Sequence, residues 1–509
     1  MNPGGDVRER LSWKVLSALA LLQFLLALSL APRVMGEGDA AEFTLVLAVA
    51  GVPHPPGYPL YVLLGHGFVR VAHALGASWV FAALLWSTFA AAIATLLTAA
   101  LCDRILPDDV RLGGPTRLAL VALASGILAW NPVFLRAATQ AEVHALHAAW
   151  VAASLLMSLE LWRGRGQIGR RQGFSAGLLL GCGLANHLTA MLVVAPLTAL
   201  LGFVIIRAAQ RGRAIAVAAL AGAVLPLLSY AFIAWRALHP ASYQWPALEA
   251  SVVGVWRHMT GAIYHGFVGA FRPSPAESRL LWTAVLPVCL PGALALVWHA
   301  RHARRAPDGP VWLAWCGAVL LTSAFTLSYG VADPSAYFLP VIIVSAVALS
   351  SVFARVLQRA EHRGVALAMS CVVAAGAIFA WVPPEFAHAR SITDVDRSVR
   401  AAFAALPFER GVVLWESDAH VRLLAYQQLE HIKSALIVID PAMLTWPAYR
   451  AHITAVLGQD PLAGLTLESD ADLSRVAPDL ARHVSLPVAD FGVWWETGPA
   501  RESGMTPAH

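Results

Sequence analysis

The sequence predicts an α-helical polytopic membrane protein with about eleven transmembrane helices and a small C-terminal α/β domain. Of the 509 residues, 58% are hydrophobic and only 13% are charged. So few charges could not cover the surface of a soluble chain of this length, so lipid must solvate most of it. From Pro383 onward the composition becomes that of a soluble protein, which predicts a membrane domain over residues 1–382 and a second domain over residues 383–509.

Eleven apolar stretches supply the predicted membrane helices. A run of about 18 or more apolar residues crosses roughly 30 Å of hydrocarbon as a helix. The stretches lie near residues 13–31, 79–101, 117–135, 143–162, 173–186, 188–206, 214–235, 280–298, 311–329, 338–357 and 364–382. The first is too long for a removable signal peptide and lacks a small-residue cleavage site, so we interpret it as a span.

Arginine and lysine residues set the predicted orientation. With the N-terminus inside, the strongly basic segments, such as 163–171 and 301–305, all fall on the cytoplasmic side. An odd number of spans then places the C-terminal domain outside. The net charge of +5 follows from this topology and does not indicate a nucleic-acid partner. Compact loops and an Ala- and Arg-rich composition predict the inner membrane of a bacterium, with the site and the C-terminal domain on the periplasmic side.

Cysteine and metal-ligand patterns are uninformative in this chain. All five cysteines lie within or at the ends of apolar stretches and have no paired spacing. We therefore predict small core residues, without a disulfide or a zinc site. The sequence assigns no metal site and leaves the participation of a metal ion open.

The first outer loop, residues 32–78, carries the strongest functional signal. Asp39, Glu42 and His54 lie there beside a membrane span. An ionised side chain at the edge of hydrocarbon must face water, a partner or a substrate, so the acids are candidate functional groups. The pair Asp39 and Glu42 also fits a helix-capping box, and the two roles are compatible. Short amphipathic helices over 39–50 and 60–75, separated by prolines, are expected along the membrane surface.

Further polar residues share this outer side of the membrane. The candidate substrate-binding residues are His54, Tyr58, Arg136, Gln140, Glu142, Asn186, His187, Arg236, Arg257, His258, Asp333 and Tyr337. Some have a purely structural alternative, since Arg136 can pair with Glu142 and Asp333 precedes a proline as turn residues do. The aromatic-rich loop 236–280 fits either an interfacial belt or a site for sugars and lipid head groups.

The sequence of the C-terminal domain predicts a small α/β unit. Strands are predicted at 411–416, 435–440 and 491–496, and a helix at 420–428. The domain has no Gly-rich phosphate loop and no nucleophile elbow, so no chemistry is assigned to it.

The motif Gly38-Asp39-x-x-Glu42, followed by His54-Pro55-Pro56-Gly57-Tyr58-Pro59-Leu60, resembles a known family of multi-span membrane proteins. That family includes a eukaryotic endoplasmic-reticulum protein O-mannosyltransferase acting on plexin-type receptor domains, and it has bacterial members. The similarity extends to Gln140-x-Glu142-Val143, Gly183-Leu184-x-Asn186-His187, Trp256-Arg257-His258 and Tyr337-Phe338-Leu339-Pro340. The chain departs from the family at His144, where a tyrosine is expected, and at 243–248, which lacks the expected acidic and glycine residues.

The resemblance implies a GT-C-like fold and an integral membrane glycosyltransferase. Such an enzyme moves a sugar, here mannose by family resemblance, from a polyprenyl-phosphate donor to an acceptor hydroxyl on the non-cytoplasmic face, with inversion. Asp39 carries over as the general base, with Glu42 as its neighbour. A carboxylate can take the hydroxyl proton as the new bond forms, and cationic groups can stabilise the departing phosphate. The implied partners are membrane lipid, the lipid-linked sugar, and a protein or glycan acceptor.

The other candidate residues are expected to have two different roles in this reaction. Glu42 and His54 are expected to position the loop or the substrate. The lipid phosphate is expected to bind Arg236, Arg257, His187 and Arg136.

Two other classes of protein compete with the enzyme. A transporter or flippase is expected to show inverted repeats and polar residues near mid-span, whereas the spans here are mostly Ala, Leu and Val. A noncatalytic membrane scaffold would tolerate the substitution Asp39→Asn.

Overall fold

The computed structural model of the chain describes residues 10–107, 113–331, 333–359, 363–415, 417–467, 470–490, 493–495 and 501–502. Its helices, α1 to α21 in order, are Trp13–Leu30, Ala40–Val49, Pro59–Ala74, Trp79–Ile105, Gly114–Ala129, Pro132–Thr139, Val143–Arg163, Arg170–Asn186, Met191–Arg207, Gly212–Leu227, Ala231–Leu238, Val252–Met259, Pro275–Leu280, Leu286–His302, Gly309–Thr326, Leu339–Arg359, Arg363–Ala404, Ser417–Glu430, Pro447–Leu457, Asp470–Leu473 and Val476–His483. The protein is therefore mainly helical, as predicted.

Nine helices in the described part are long and apolar enough to cross a membrane, or ten if one bent pair counts as a span. The bent pair is α5 and α6, which meet at 65° where one straight span was expected over 117–135. Asn131 explains the bend, because its side chain accepts a hydrogen bond from Val133 N at 3.0 Å and starts a new helix at Pro132.

The expected fifth span corresponds to α8, which has only 17 residues. It packs closely along α10 through glycines, since a Cβ at Gly177 or Gly181 would overlap backbone atoms of Ala219 or Ala223. Small residues allow helices to approach in this way within a membrane. The described part thus holds nine or ten helices that qualify as spans, and α8 is the expected span that is not among them.

The two expected helices of the first outer loop are α2 and α3. Contrary to expectation, α2 does not lie on the membrane surface, because its residues from Ala40 to Ala48 are all buried. The helix that covers it is α18 of the C-terminal unit, with Leu423 and Tyr426 in the same buried apolar cluster as Phe43. The α3 helix is amphipathic and exposes apolar residues such as Leu64.

The boundary expected at 382/383 falls inside α17, which runs from Arg363 to Ala404 over 42 residues. Pro383 and Pro384 lie within this helix, although proline usually ends one. The α/β unit itself begins with the first strand after α17.

The C-terminal sheet has strands β1 to β5 at Gly411–Leu414, Leu436–Ile439, Val488–Asp490, Val493–Trp495 and Arg501–Glu502. Their order is β2-β1-β3-β4-β5, with β1 parallel to both neighbours and the other pairs antiparallel. The predicted helix 420–428 is α18, and the first two predicted strands are confirmed. The third is confirmed over 493–495, while residues 416, 491, 492 and 496 lie outside the described part.

Candidate active site

Asp39 begins α2, directly after a turn at Gly36–Gly38. Its side chain makes no capping hydrogen bond, and it remains 55% exposed. The capping box that the sequence allows is therefore not formed, because the Glu42 side chain binds His54 instead. The Asp39 carboxylate is therefore accessible to a ligand.

Glu42 is buried and fully engaged by hydrogen bonds. Its Oε2 atom lies 2.5 Å from His54 Nδ1, and its Oε1 atom accepts from His54 N at 3.0 Å and from the Tyr243 hydroxyl at 2.8 Å. A carboxylate with this many donors has little capacity left for a substrate. Glu42 thus fixes the ring of His54.

His54 connects the two carboxylates. Its Nε2 atom lies 2.9 Å from the Tyr58 hydroxyl and 3.6 Å from Asp39 Oδ2. Burial opposes the charged ring, but the negative charges of Asp39 and Glu42 outweigh burial and raise the pKa of His54 to about 9. At neutral pH an imidazolium therefore lies between two acids.

The turn after His54 explains the Pro- and Gly-rich motif. Gly57 has a φ of +88°, and a Cβ there would lie 2.6 Å from Ile233 Cδ1 and 3.1 Å from His258 Nε2. Only glycine combines this backbone conformation with so close an approach. His258 accordingly packs close to this turn.

A cavity of about 670 Å³ lies beside this group. Its polar wall includes Asp39, His54, Tyr58, His187, Asp333 and Tyr337. Much of the remaining wall is apolar, as at Leu192 and Phe325, and two lining residues, Met191 and Val268, are themselves exposed at the surface. The cavity suits a ligand with an apolar chain and a polar end.

His187 lies 5% exposed in the wall of this cavity. Its Nδ1 atom accepts a hydrogen bond from Thr189 N at 3.2 Å, which leaves the proton on Nε2. In the part of the chain that the structure describes, Nε2 has no hydrogen-bond partner. A buried donor of this kind is suited to an acceptor atom on a ligand.

A second cavity, of about 220 Å³, shares Asp39 and Asp333 with the first. Arg136, Gln140 and Glu142 also line it. Arg136 does not pair with Glu142, because it donates two hydrogen bonds, of 3.0 and 3.1 Å, to the Glu385 carboxylate.

Carboxylates give this second cavity an acidic character. Burial, and then the negative charges of Asp39 and Glu277, raise the pKa of Asp333 to about 7. Burial and the charges of Asp39 and Asp333 likewise raise the pKa of Glu142. The cavity therefore favours neutral or hydrogen-bond-donating groups over anions.

Four of the expected substrate-binding residues, Asn186, Arg236, Arg257 and His258, line neither cavity. The Arg236 guanidinium stacks on Trp235, with Cζ 4.5 Å from the ring centroid, and Arg257 is exposed on α12. Asn186 is buried but lines neither cavity. Of the three arginines expected to bind phosphate, only Arg136 lines a cavity with Asp39, and Arg136 is paired with Glu385. Gln140, in the same cavity, accepts a hydrogen bond from Glu37 N at 2.9 Å.

Asp39, Glu42 and His54 are also the group most suited to a metal ion among the described residues, with ligand atoms within 4.8 Å of one another. A metal ion binds neutral imidazole, so metal binding here would displace the proton that Asp39 and Glu42 favour on His54. Its Nδ1 is also bonded to Glu42 and its Nε2 to Tyr58. Without a metal ion, the three side chains form a chain of acid, imidazolium and acid.

Several residues of the site were not singled out from the sequence. They are Glu277, Glu385 and His388, whereas Tyr243 and Tyr264 belong to the aromatic-rich loop 236–280 that the sequence did indicate. Glu385 had a usable signal, because an acid directly after an apolar span requires a partner. The hydrogen bond from the Tyr243 hydroxyl to Glu42 had no local sequence signal, because the two residues are 201 positions apart.

Comparison with known proteins supports the family resemblance of the motif. Residues 39–212 match the family described as the protein O-mannosyl-transferase TMEM260 N-terminal domain. The match begins at Asp39 and includes the His54–Leu60 motif and His187. No match is found among curated protein sequences.

Solved structures of membrane glycosyltransferases share the fold. ArnT from Cupriavidus metallidurans, bound to undecaprenyl phosphate, has a TM-score of 0.56 at 13% identity, covering 87% of each chain. The Archaeoglobus fulgidus oligosaccharyltransferase, tethered with an acceptor peptide, has a TM-score of 0.51 at 12% identity, covering 92% of this chain and 68% of that one. The motif, the family domain and the fold therefore agree: over residues 39–212 the chain contains a domain of the TMEM260 N-terminal type, and its fold is similar to that of GT-C membrane glycosyltransferases.

Proposed function

We propose that the protein transfers a sugar, mannose by family resemblance, from a polyprenyl-phosphate donor to an acceptor hydroxyl on the non-cytoplasmic face. In a bacterium this is the periplasmic face of the inner membrane. The observation that carries the proposal is the position of Asp39, whose half-exposed carboxylate borders both an apolar and a polar cavity. A lipid-linked donor and a polar acceptor can therefore meet at one acid.

The larger cavity is the proposed donor site. Its apolar wall suits the first isoprene units, and exposed Met191 and Val268 offer an approach from lipid. The undecaprenyl phosphate bound by ArnT supports a donor of this class. The phosphate binds His187 Nε2 and the His54 cation. These two groups replace Arg236 and Arg257, which were expected from the sequence to bind it.

The smaller cavity is the proposed acceptor site. The clustered negative charge that raises the pKa values of Asp333 and Glu142 also disfavours a phosphate here, and the carboxyl oxygens can accept hydrogen bonds from hydroxyl or peptide N–H groups. The acceptor peptide of the related oligosaccharyltransferase supports a polypeptide acceptor. A serine or threonine side chain would reach Asp39 from this side.

The proposed reaction is a single inverting displacement. Asp39 takes the acceptor proton while the acceptor oxygen attacks the anomeric carbon, and the bond from that carbon to the phosphate oxygen breaks. The departing phosphate keeps the electron pair of that bond, and positive charge at His54 stabilises it. Glu42 is a positioning residue, because its hydrogen bonds hold His54 in place.

The test uses the purified full-length chain in liposomes with radiolabelled polyprenyl-phosphate mannose and membranes from cells that lack the protein. Asp39→Asn is expected to lower mannose transfer to protein at least about 100-fold while donor binding persists. Glu160→Gln is the matched control, because that carboxylate pairs with Arg104 outside both cavities. Wild-type transfer by Asp39→Asn would exclude Asp39 as the base.

A further inference from the structure

The position of the Asp39 carboxylate depends on the backbone that precedes it. The side chain has no capping hydrogen bond, and its ion pair with His54 is 3.6 Å long. The carboxylate is therefore not held tightly by its own side-chain contacts. Its placement therefore follows from α2 and from the turn at Gly36–Gly38.

That turn is held from two sides. On one side Glu37 N donates to Gln140 Oε1 at 2.9 Å. On the other side Arg422 Nη2 donates to the Gly36 carbonyl oxygen, also at 2.9 Å. The space between these contacts is filled, because a Cβ at Gly36 would lie 2.5 Å from Ala40 Cβ and 2.7 Å from Gln140 Oε1.

Arg422 belongs to α18 of the C-terminal unit and is 2% exposed. Burying a guanidinium is costly unless hydrogen bonds satisfy it, so a buried arginine bonded to a distant backbone carbonyl holds a defined geometry. The same helix is anchored to α17, because the Tyr426 hydroxyl donates to Asp396 Oδ1 at 2.6 Å. Arg422 thus connects the turn before Asp39 to a rigid support.

We infer that Arg422 is a positioning residue for Asp39 and that the C-terminal α/β unit completes the active site without touching the substrate. The inference rests on the proposed role of Asp39 as the base. Among the described residues, none of those after His388 lines either cavity. Loss of the Arg422 contact should therefore displace the base while leaving the donor site intact.

The first experiment compares Arg422→Gln and Arg422→Lys with the wild-type chain in the liposome transfer assay. Misplacement of a reacting group by about 1 Å can cost roughly 100-fold in rate, so we expect kcat to fall about 10- to 100-fold for Arg422→Gln. Arg422→Lys keeps one charged donor and should recover part of this loss. The KM for polyprenyl-phosphate mannose should stay within about twofold of wild type, because Arg422 lies outside the donor cavity.

The matched control is Arg450→Gln in the same C-terminal unit. Arg450 pairs with Asp460 on the surface, and among the described residues no ion pair or side-chain hydrogen bond joins it to the first outer loop, so transfer should be unchanged. Hydrogen exchange adds a readout independent of activity. Amides of residues 36–40 should exchange faster in Arg422→Gln, and those of α12 should not.

A double variant separates this inference from the proposed function. If Arg422 acts through Asp39, then Asp39→Asn with Arg422→Gln should retain the same residual transfer as Asp39→Asn alone. A wild-type kcat in Arg422→Gln, or a full additional loss in the double variant, would overturn the inference while Asp39 remained the base. Full transfer by Asp39→Asn would instead remove the proposed base, and the inference with it.

A substitution on the other side of the turn covers the case in which Arg422 variants do not fold. Gly36→Ala lies in the membrane domain and displaces the same turn, since its Cβ would meet Ala40 and Gln140. It should also lower kcat at an unchanged donor KM. A wild-type kcat in Gly36→Ala would contradict the inference.

Discussion

The Nε2 atom of His54 lies 3.6 Å from Oδ2 of Asp39, and both side chains line the large cavity. The other ring nitrogen is held by Glu42 at 2.5 Å. This arrangement keeps a positive charge beside the proposed base and beside the expected position of the departing phosphate. Under the proposed mechanism, the rate of sugar transfer should therefore depend on the charge state of His54.

The first prediction concerns the alkaline pH dependence of transfer. The pKa of His54 is raised from 6.5 to about 9 by Asp39 and Glu42 against the opposing effect of burial. Transfer by wild type should therefore decline as the pH rises through about 9, because the imidazolium is lost. His54→Gln should lower kcat about 100-fold at neutral pH and should lack this decline, as measured by pH profiles in liposomes.

The same proton contributes to stability with a defined sign. A histidine whose pKa is higher in the folded state stabilises the fold below its unfolded pKa, and this contribution is lost as the pH rises from about 6.5 through about 9. His66→Gln is the control, because His66 bonds to the Leu47 carbonyl outside both cavities. If His66→Gln also lost the decline in transfer and stability at alkaline pH, the assignment to His54 would be contradicted.

The second prediction concerns the hydroxyl of Tyr243. It donates to the buried carboxylate of Glu42, so Tyr243→Phe should lower the free energy of unfolding by about 1.5–3 kcal/mol. Transfer should also fall, since Glu42 positions His54. Thermal unfolding in detergent and the transfer assay measure the two effects.

Tyr230→Phe provides the comparison for Tyr243. Its hydroxyl donates to the Leu184 carbonyl at 2.9 Å, away from both cavities. A neutral hydrogen bond contributes about 0.5–1.5 kcal/mol, so this variant should lose some stability and keep wild-type kcat. Equal losses of kcat in both tyrosine variants would argue against a specific role of Glu42.

The third prediction concerns Asp333. Burial and the charges of Asp39 and Glu277 raise its pKa from 3.8 to about 7. The folded state therefore binds the proton more tightly than the unfolded state, and its stability should fall as the pH rises from about 4 to about 7. Asp333→Asn should reduce that slope in thermal unfolding measured across this pH range.

An exposed carboxyl supplies the control for Asp333. Asp394 pairs with Arg397 on the surface of α17, and Asp394→Asn should keep the wild-type slope. An unchanged slope in Asp333→Asn would show that another group titrates there.

Much of the site could be predicted from the sequence because its strongest signal is local. Asp39, Glu42 and His54 lie within 16 residues, and the proline and glycine pattern between Pro53 and Pro59 dictates the turn that joins them. Hydrophobic run lengths likewise predicted the helical membrane domain. The fold class required no knowledge of tertiary contacts.

Residues whose role depends on helix rotation were harder to predict. Topology gives the side of the membrane for Arg236 and Arg257, but it does not give the face of the helix, and both lie away from the cavities. The contact of Arg422 with Gly36 joins segments 386 residues apart, so no local pattern indicates it. Likewise, burial of α2 beneath α18 is a tertiary effect, because an apolar helix suits a protein interior and a membrane surface equally well.

The last prediction concerns the proposed phosphate contact of His187. The ring packs 5.3 Å from Tyr58 and 5.8 Å from Tyr337, measured between centroids, so His187→Phe preserves an aromatic ring while removing the Nε2 donor. A hydrogen bond to a charged phosphate contributes about 1.5–3 kcal/mol, so the KM for polyprenyl-phosphate mannose should rise at least about 10-fold. The inhibition constant of free polyprenyl phosphate should rise by the same factor. His299→Phe is the control, because His299 is also a buried histidine stacked on an aromatic ring, that of Trp312, but lies outside both cavities. An unchanged donor KM in His187→Phe would place the phosphate elsewhere in the cavity.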